Sequence, residues 1–174
     1  MRGQTFQTDG LILRPLQEKD LQAVYELFSS DHLMETYGMN NLKNMDHAKD
    51  FLKELIKDKE WAITLKETKE VIGTIGFVAY KDKHKRAEIA FDLKENYWSL
   101  GYMKESLQAI IDKFFQTSKM NRLEAYVYPR NKACIHLLEG LGFTKEGLLR
   151  EYVMKRNKLE DYLLYSILKS DDQT

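Results

Sequence analysis

Between residues 61 and 93, three stretches of β-type sequence follow one another with no helical segment between them. They are Trp61–Leu65, Val71–Tyr80 and Ala87–Leu93, joined by charged turns at 67–70 and 81–85. In the last, Ile89, Phe91 and Leu93 alternate with Glu88 and Asp92, the period of a strand with one buried face. Gly73 and Gly76 lie inside the second stretch, where they predict a bulge or a close backbone approach. Strands in such succession do not build a doubly wound parallel sheet.

Helical patterns flank this block. Leu21, Val24, Leu27 and Phe28 have helical spacing within 18–28, after a short strand, Leu11–Pro15, that proline ends. Residues 29–44 have weak periodicity and read as a loop or a broken helix. Asn44 or Asp46 caps the next helix, which buries Ala48, Phe51, Leu52, Leu55 and Ile56. A longer helix begins near Tyr102, with Met103, Leu107, Ile110, Ile111, Phe114 and Phe115 on one face. Arg122–Val127 is a strand; Pro129 and Asn131 then open a helix that Gly142 ends. Two strands, near Glu146–Met154 and Leu159–Leu168, close the pattern. The expected fold is α/β (α+β): a mixed, mostly antiparallel sheet of about seven strands flanked by helices. No linker or repeat interrupts the 174 residues, so 1–174 reads as one domain.

Composition narrows the function. Lys plus Arg and Asp plus Glu both number 27, and this balance argues against a general nucleic-acid binder. The single cysteine, Cys134, permits no internal disulfide, and the four histidines are scattered, so no metal is expected. No apolar run of membrane-spanning length and no signal-peptide pattern occur, and the expected location is cytoplasmic.

The chemistry concentrates between Glu88 and Phe143. A strand ends, the loop KENYWSLG follows, and an amphipathic helix starts. The N–H groups and positive dipole end of that helix suit a pyrophosphate, although an ordinary strand-to-helix turn would look similar. Tyr128-Pro129-Arg130-Asn131 precedes a second helix, for which Asn131 is the natural cap.

LILRPL with Asp20, VIGTIGF, AEIAFDL, NYWSLGYMKESL, NRLEAYVYPRNKACIHLLEGLGF, and TKEGLLREY with Asp161 occur in an order and spacing that resemble the GNAT superfamily of N-acetyltransferases. Within it, the chain resembles the ribosomal-protein alanine acetyltransferase (RimJ/RimL-type) branch. The resemblance implies an enzyme that takes acetyl-CoA as donor and an amine as acceptor, either a protein N-terminus or a small amine such as a polyamine or aminoglycoside. A non-catalytic acyl-CoA-binding protein is the alternative from another class. No nucleic-acid or membrane partner is implied, and a homodimer is compatible.

By the same resemblance, the pyrophosphate loop is Trp98, Ser99, Leu100, Gly101, Tyr102 and Met103, with Lys104 following. The loop departs from the family pattern, for Leu100 stands where a basic residue is common and Met103 where a small one is. Leu138 stands where many members carry a tyrosine general acid. The strand holding Glu88 splays from Arg122–Val127, and backbone N–H groups near Phe91 and Leu93 hold the pantetheine arm. Asn131 holds the loop at the second helix. Glu88 is the candidate base, acting through water, with a solvated strand residue as its alternative. Cys134 lies near the cofactor sulfur, as a proton donor or as a small packing residue. Tyr37, Met39, Asn40, Arg150 and Tyr152 are candidates for the acceptor pocket. Tyr126, Tyr162 and Tyr165 read first as core or sheet surface.

Overall fold

The computed structural model describes residues 3–31, 34 and 41–171. Its strands are β1 (Phe6–Gln7), β2 (Leu11–Pro15), β3 (Trp61–Leu65), β4 (Val71–Lys81), β5 (Arg86–Leu93), β6 (Arg122–Val127), β7 (Thr144–Lys155) and β8 (Lys158–Leu168). The helices are α1 (Leu21–Ser29), α2 (Met45–Lys57), α3 (Tyr102–Thr117) and α4 (Lys132–Glu139). One eight-stranded sheet runs in the order β1-β2-β3-β4-β5-β6-β8-β7. The expectation of about seven strands missed β1, a two-residue strand too short to carry a periodic signal. Every neighbouring pair is antiparallel except β5 and β6.

The helices sort by sheet face. Leu107, Ile110, Ile111, Phe114, Ile135 and Leu138 of α3 and α4 pack with Ala87, Ile89, Leu93, Leu123, Ala125 and Val127. On the other face, Val24, Leu27, Phe28, Leu52 and Leu55 of α1 and α2 pack with Ala62 and Val71. Strand parity does the sorting: odd-numbered residues of β5 and β6 face α3 and α4, even-numbered ones the opposite side.

Local chemistry sets the ends of the elements. The Asn44 side chain accepts from the His47 N–H (3.0 Å) and is the cap of α2; Asp46 lies inside the first turn. The segment from Glu18 starts as a short 3₁₀ turn, and α1 proper begins at Leu21. The reason is Asp20, whose buried carboxylate takes both Arg14 guanidinium nitrogens (2.7 Å each) and the Gln17 N–H (2.9 Å), so α1 is tied to β2. The last helix stops at Glu139, ahead of Gly142, which instead carries the turn into β7 at φ 84°. The Glu105 carboxylate accepts the Gly10 N–H (2.8 Å) and ties α3 to the turn before β2.

The glycines of β4 mark close approach. A Cβ at Gly73 would sit 2.3 Å from the Asp92 carbonyl, and one at Gly76 would meet the Glu60 side chain at 2.3 Å. One register shift lies beside Gly73, where pairing with β3 steps from Ile63–Gly73 to Thr64–Val71, and a second lies between Phe77 and Ala79 against β5. Gly73→Ala therefore forces β4 away from β5, with an expected loss of about 1–3 kcal/mol. Gly147→Ala, where a Cβ meets nothing within 4 Å, is the control and stays within about 0.5 kcal/mol of the parent. Urea midpoints for the two variants check this pair.

Candidate acetyl-transfer site

The parallel contact between β5 and β6 is brief. Arg86, Ala87 and Glu88 pair with Arg122, Leu123 and Glu124, and the register ends there. From Ile89 to Leu93, β5 stays on β4, while Ala125 to Val127 stay on β8. A gap opens between them. Glu124 clamps its closed end: this buried carboxylate takes Arg86 at 2.5 Å and Arg122 at 2.7 Å.

Hydrogen-bond parity decides what faces the gap. The Lys94 N–H donates to the Ile72 carbonyl (2.8 Å), so Lys94 and Ile72 form a hydrogen-bonded pair. In an antiparallel ladder such pairs recur every second residue. Asp92 with Thr74 and Ala90 with Gly76 follow, and the odd-numbered residues of β5 turn their backbone groups toward β6. The Lys85 carbonyl obeys the same parity, accepting from Asn121 (2.7 Å) and Arg122 (3.1 Å) on the β6 side. Phe91 and Leu93 thus present their N–H groups to the gap. Trp98 Nε1 donates to the Leu93 carbonyl (2.7 Å), which fixes the following loop to the strand end.

Past Trp98 the chain enters α3 through two left-handed residues, Ser99 (φ 60°) and Gly101 (φ 87°). The first bond of α3 runs from the Glu105 N–H to the Gly101 carbonyl (3.0 Å). The N–H groups of Tyr102, Met103 and Lys104 therefore precede the ladder, and no side chain at Gly101 caps them. Tyr102 and Met103 pack their side chains against the core. Leu100 is 62% exposed, and Lys104 is exposed. Met103 packs its side chain against the core, and the loop offers backbone donors ahead of α3.

Across the gap, the Asn131 side chain accepts the Cys134 N–H (3.0 Å) and caps α4. Burial, with a contribution from Asp92, pushes the Cys134 thiol up to about 12, so it remains neutral at pH 7. His136 is exposed on another face of α4.

On the face opposite α3 and α4, Glu88 is half-buried and makes no ion pair among the described residues; burial and the nearby Glu124 raise its pKa. Next to it, Tyr126 stacks on Tyr152 (centroids 5.6 Å, planes 7° apart) and approaches Tyr162 (5.9 Å). Tyr162 Oη donates to Tyr128 Oη (3.3 Å), and the Arg130 guanidinium lies 4.2 Å from the Tyr128 ring centre. Tyr152 reaches this cluster because β7 is irregular between Leu149 and Val153, where the Asp161 carboxylate accepts the Glu151 N–H (2.7 Å). Arg150, in the same irregular stretch, is exposed. Tyr165 belongs to the core, with its hydroxyl on Glu139 (2.9 Å). Tyr37, Met39 and Asn40 lie outside the described residues.

Residues 10–144 match the acetyltransferase (GNAT) domain family. The chain belongs to this family. It is 35% identical over 169 residues to the uncharacterized N-acetyltransferase YoaA of Bacillus subtilis, an alignment spanning 94% of this chain and 96% of that protein. Two solved structures share the fold. The ribosomal-protein-S5-alanine acetyltransferase of Vibrio fischeri superposes with a TM-score of 0.83 at 20% identity, covering 98% of this chain and all of that one. The spermidine N-acetyltransferase of Vibrio cholerae, solved with CoA and spermine, gives 0.84 at 20% identity, covering 96% of this chain and all of that one. The chain is thus a GNAT N-acetyltransferase with the mixed sheet of its family, and acetyl-CoA is the donor that the family uses.

Sequence reasoning expected the splay, the loop and the Asn131 cap; the structure shows the strands parting after Glu88, the loop tied to Leu93 through Trp98, and Asn131 capping α4. It overlooked Asp92, read only as the polar partner in a strand alternation. Its one available signal was that Asp92 shares the face of Glu88 at a spacing of two strand periods.

Two variants test the loop. Gly101→Val strains a left-handed position and fills the open space beside it; Gly101→Asn fills the same space but tolerates the conformation. Both are expected to weaken acetyl-CoA binding in calorimetry, while only valine lowers the melting temperature markedly. Unchanged affinity in both would remove this loop from the site. Asn131→Ala should cost about 1 kcal/mol as a lost cap, read from urea midpoints.

Proposed function

We propose that this enzyme transfers acetyl directly from acetyl-CoA to the α-amino group of a protein N-terminus. The observation that carries the choice of acceptor is electrostatic. Around the tyrosine wall most acids are already engaged: Glu124 by Arg86 and Arg122, Glu146 by Arg122, Glu160 by Arg130, and Asp161 by the Glu151 N–H. Among the described residues, Glu88 and Asp92 of β5 are the two on this face with no ion pair. A polyamine carries several ammonium groups along its length and favours a longer string of open carboxylates; a single α-amine is served by this pair.

The residues divide the work as follows. The N–H groups of Phe91 and Leu93 are proposed to hold pantetheine amides and the thioester oxygen. The loop Trp98 to Lys104 offers its backbone to the pyrophosphate, and Asn131 holds the start of α4 beside the arm. Tyr152, with Tyr126 and Tyr162, walls the acceptor side, and Tyr37, Met39, Asn40 and Arg150 are proposed to complete it. An α-amino group with pKa near ~8 is roughly one-tenth neutral at pH 7, so a modest base suffices. Glu88, through water, removes the proton that makes the amine nucleophilic.

A covalent route through Cys134 is disfavoured, because a thiol raised to about 12 supplies almost no thiolate at pH 7. In the direct route Cys134 packs beside the sulfur.

The test is a thermal-shift titration with acetyl-CoA followed by an acceptor panel: peptides with free N-termini, the same peptides blocked, spermidine and an aminoglycoside. Mass spectrometry is expected to find acetyl on free α-amines. Acetylation confined to spermidine or the aminoglycoside would overturn the acceptor assignment. Stabilisation by acetyl-CoA with no acceptor modified would favour a binding protein.

Cys134→Ser should keep most of the turnover. Enzyme incubated with acetyl-CoA alone should carry no acetyl mass on the peptide holding Cys134. A labelled cysteine that passes its acetyl to an amine, together with a dead serine variant, would establish the covalent route instead.

A further inference from the structure

Asp92 is a carboxyl without a partner at the centre of the site. It is half-buried, and among the described residues it makes no hydrogen bond and no ion pair. An unpaired carboxylate in such surroundings is costly, and elsewhere in this protein buried acids are held: Asp20 by Arg14 and Glu124 by two arginines.

Its location is specific. Asp92 stands on β5 beyond Glu88, the last residue paired with β6, and so in the splayed part. It lies between Phe91 and Leu93, whose N–H groups face the gap. Parity puts its side chain on the face of Glu88 and Tyr126, where the amine is proposed to arrive. Asp92 also acts electrostatically on the Cys134 thiol of α4. Its place in the strand, between the two amides that face the gap, sets the carboxyl beside the reacting thioester as well as on the amine side.

We propose that Asp92 relays the proton of the reaction, taking it from the attacking nitrogen and giving it to the leaving sulfur. This rests on the acetyl-transfer reading above. The neutral amine forms the C–N bond with its lone pair, and the nitrogen loses one proton to the Asp92 carboxylate. The C–S bond breaks with its electron pair on sulfur, and the protonated Asp92 returns the proton there. The products are the amide and the free thiol, and Asp92 ends as it began. The proton that first left the ammonium goes to Glu88 and solvent, so the two carboxyls handle different protons. Asp92 would stand in for the tyrosine acid whose place Leu138 occupies.

Burial supports the assignment by pushing the Asp92 carboxyl up to about 7 from an ordinary 3.8, near where a group that both accepts and donates works best. The groups around it do not reverse this. Thr74 is its neighbour on β4, Glu88 shares its face on β5, and the Cys134 thiol of α4 feels its charge; none is cationic.

The test pairs Asp92→Asn, which keeps size and shape, with two readouts. The first is thermal unfolding of the parent and the variant against pH, without acetyl-CoA. A folded-state pKa above the unfolded one means that the parent loses stability as pH rises from about 4 through 7. The variant should therefore melt above the parent at pH 8, with the difference shrinking below pH 7 and gone near pH 4. A difference independent of pH overturns the proposal. The second is turnover of a free-N-terminus peptide. With acetyl-CoA, kcat of the variant should fall about 100-fold with KM for acetyl-CoA little changed. An acetyl thioester of a more acidic thiol, which needs no proton on leaving, should recover much of the loss. A variant within twofold of the parent, or an equal loss with both donors, also overturns it. A parent inactive on every amine would sink the acetyl-transfer reading itself, and the unfolding curves would still report whether Asp92 holds a proton at neutral pH.

Discussion

The buried carboxylate of Glu124 is the interaction on which the site depends. It receives Arg86 from β5 and Arg122 from its own strand, at the one place where β5 and β6 run side by side. Removing one partner of such a buried cluster leaves an uncompensated charge, which makes the closed end of the gap stiff. Below the clamp the strands are joined; above it each belongs to a different antiparallel sheet segment. The opening is a consequence of where parallel pairing stops, and the functional groups inherit their positions from it. Even-numbered side chains of β5 look toward the tyrosines, and odd-numbered N–H groups look into the gap.

On the proposed reading, the same arrangement lets a chain with no net charge hold a polyphosphate donor. The phosphate end is proposed to meet backbone: N–H groups ahead of the α3 ladder, set by two left-handed residues and anchored through the Trp98 side chain on Leu93. Backbone donors do not depend on residue type, so Leu100 and Met103 can replace family residues without closing the loop. Met103 turns into the core, and Leu100 turns out to water. Side-chain charge is instead spent on internal pairs, Arg14 with Asp20 and Arg130 with Glu160 among them.

Much of this was legible in the sequence, for physical reasons that differ by element. The β3–β4–β5 succession is read from period-two alternation, and α3 from an apolar stripe long enough to average out exceptions. The cap by Asn44 follows from its side chain standing just before a helical pattern. The glycines of β4 signal close approach, because only a missing Cβ lets the Asp92 carbonyl come so near Gly73. Other features were not legible. β1 is two residues long and exists only because it pairs with β2. Glu124 reads as a polar residue in a strand until Arg86 is brought beside it from 38 positions away. Asp92 looks like the solvent side of an amphipathic strand, and only the splay turns that side into an interior. Tyr152 reaches Tyr126 through an irregular stretch of β7 that no local pattern announces.

The central claim is that the donor lies in the gap, held by the odd-numbered amides of β5. Amide hydrogen exchange read residue by residue, with and without acetyl-CoA, tests it most directly. Ala90 and Asp92, bonded to β4, should be protected in both states. Phe91 should exchange readily in the free protein and slow markedly when acetyl-CoA is added, together with the amides of residues 102–104. Protection that falls elsewhere, or that fails to distinguish odd from even residues along β5, would contradict the account.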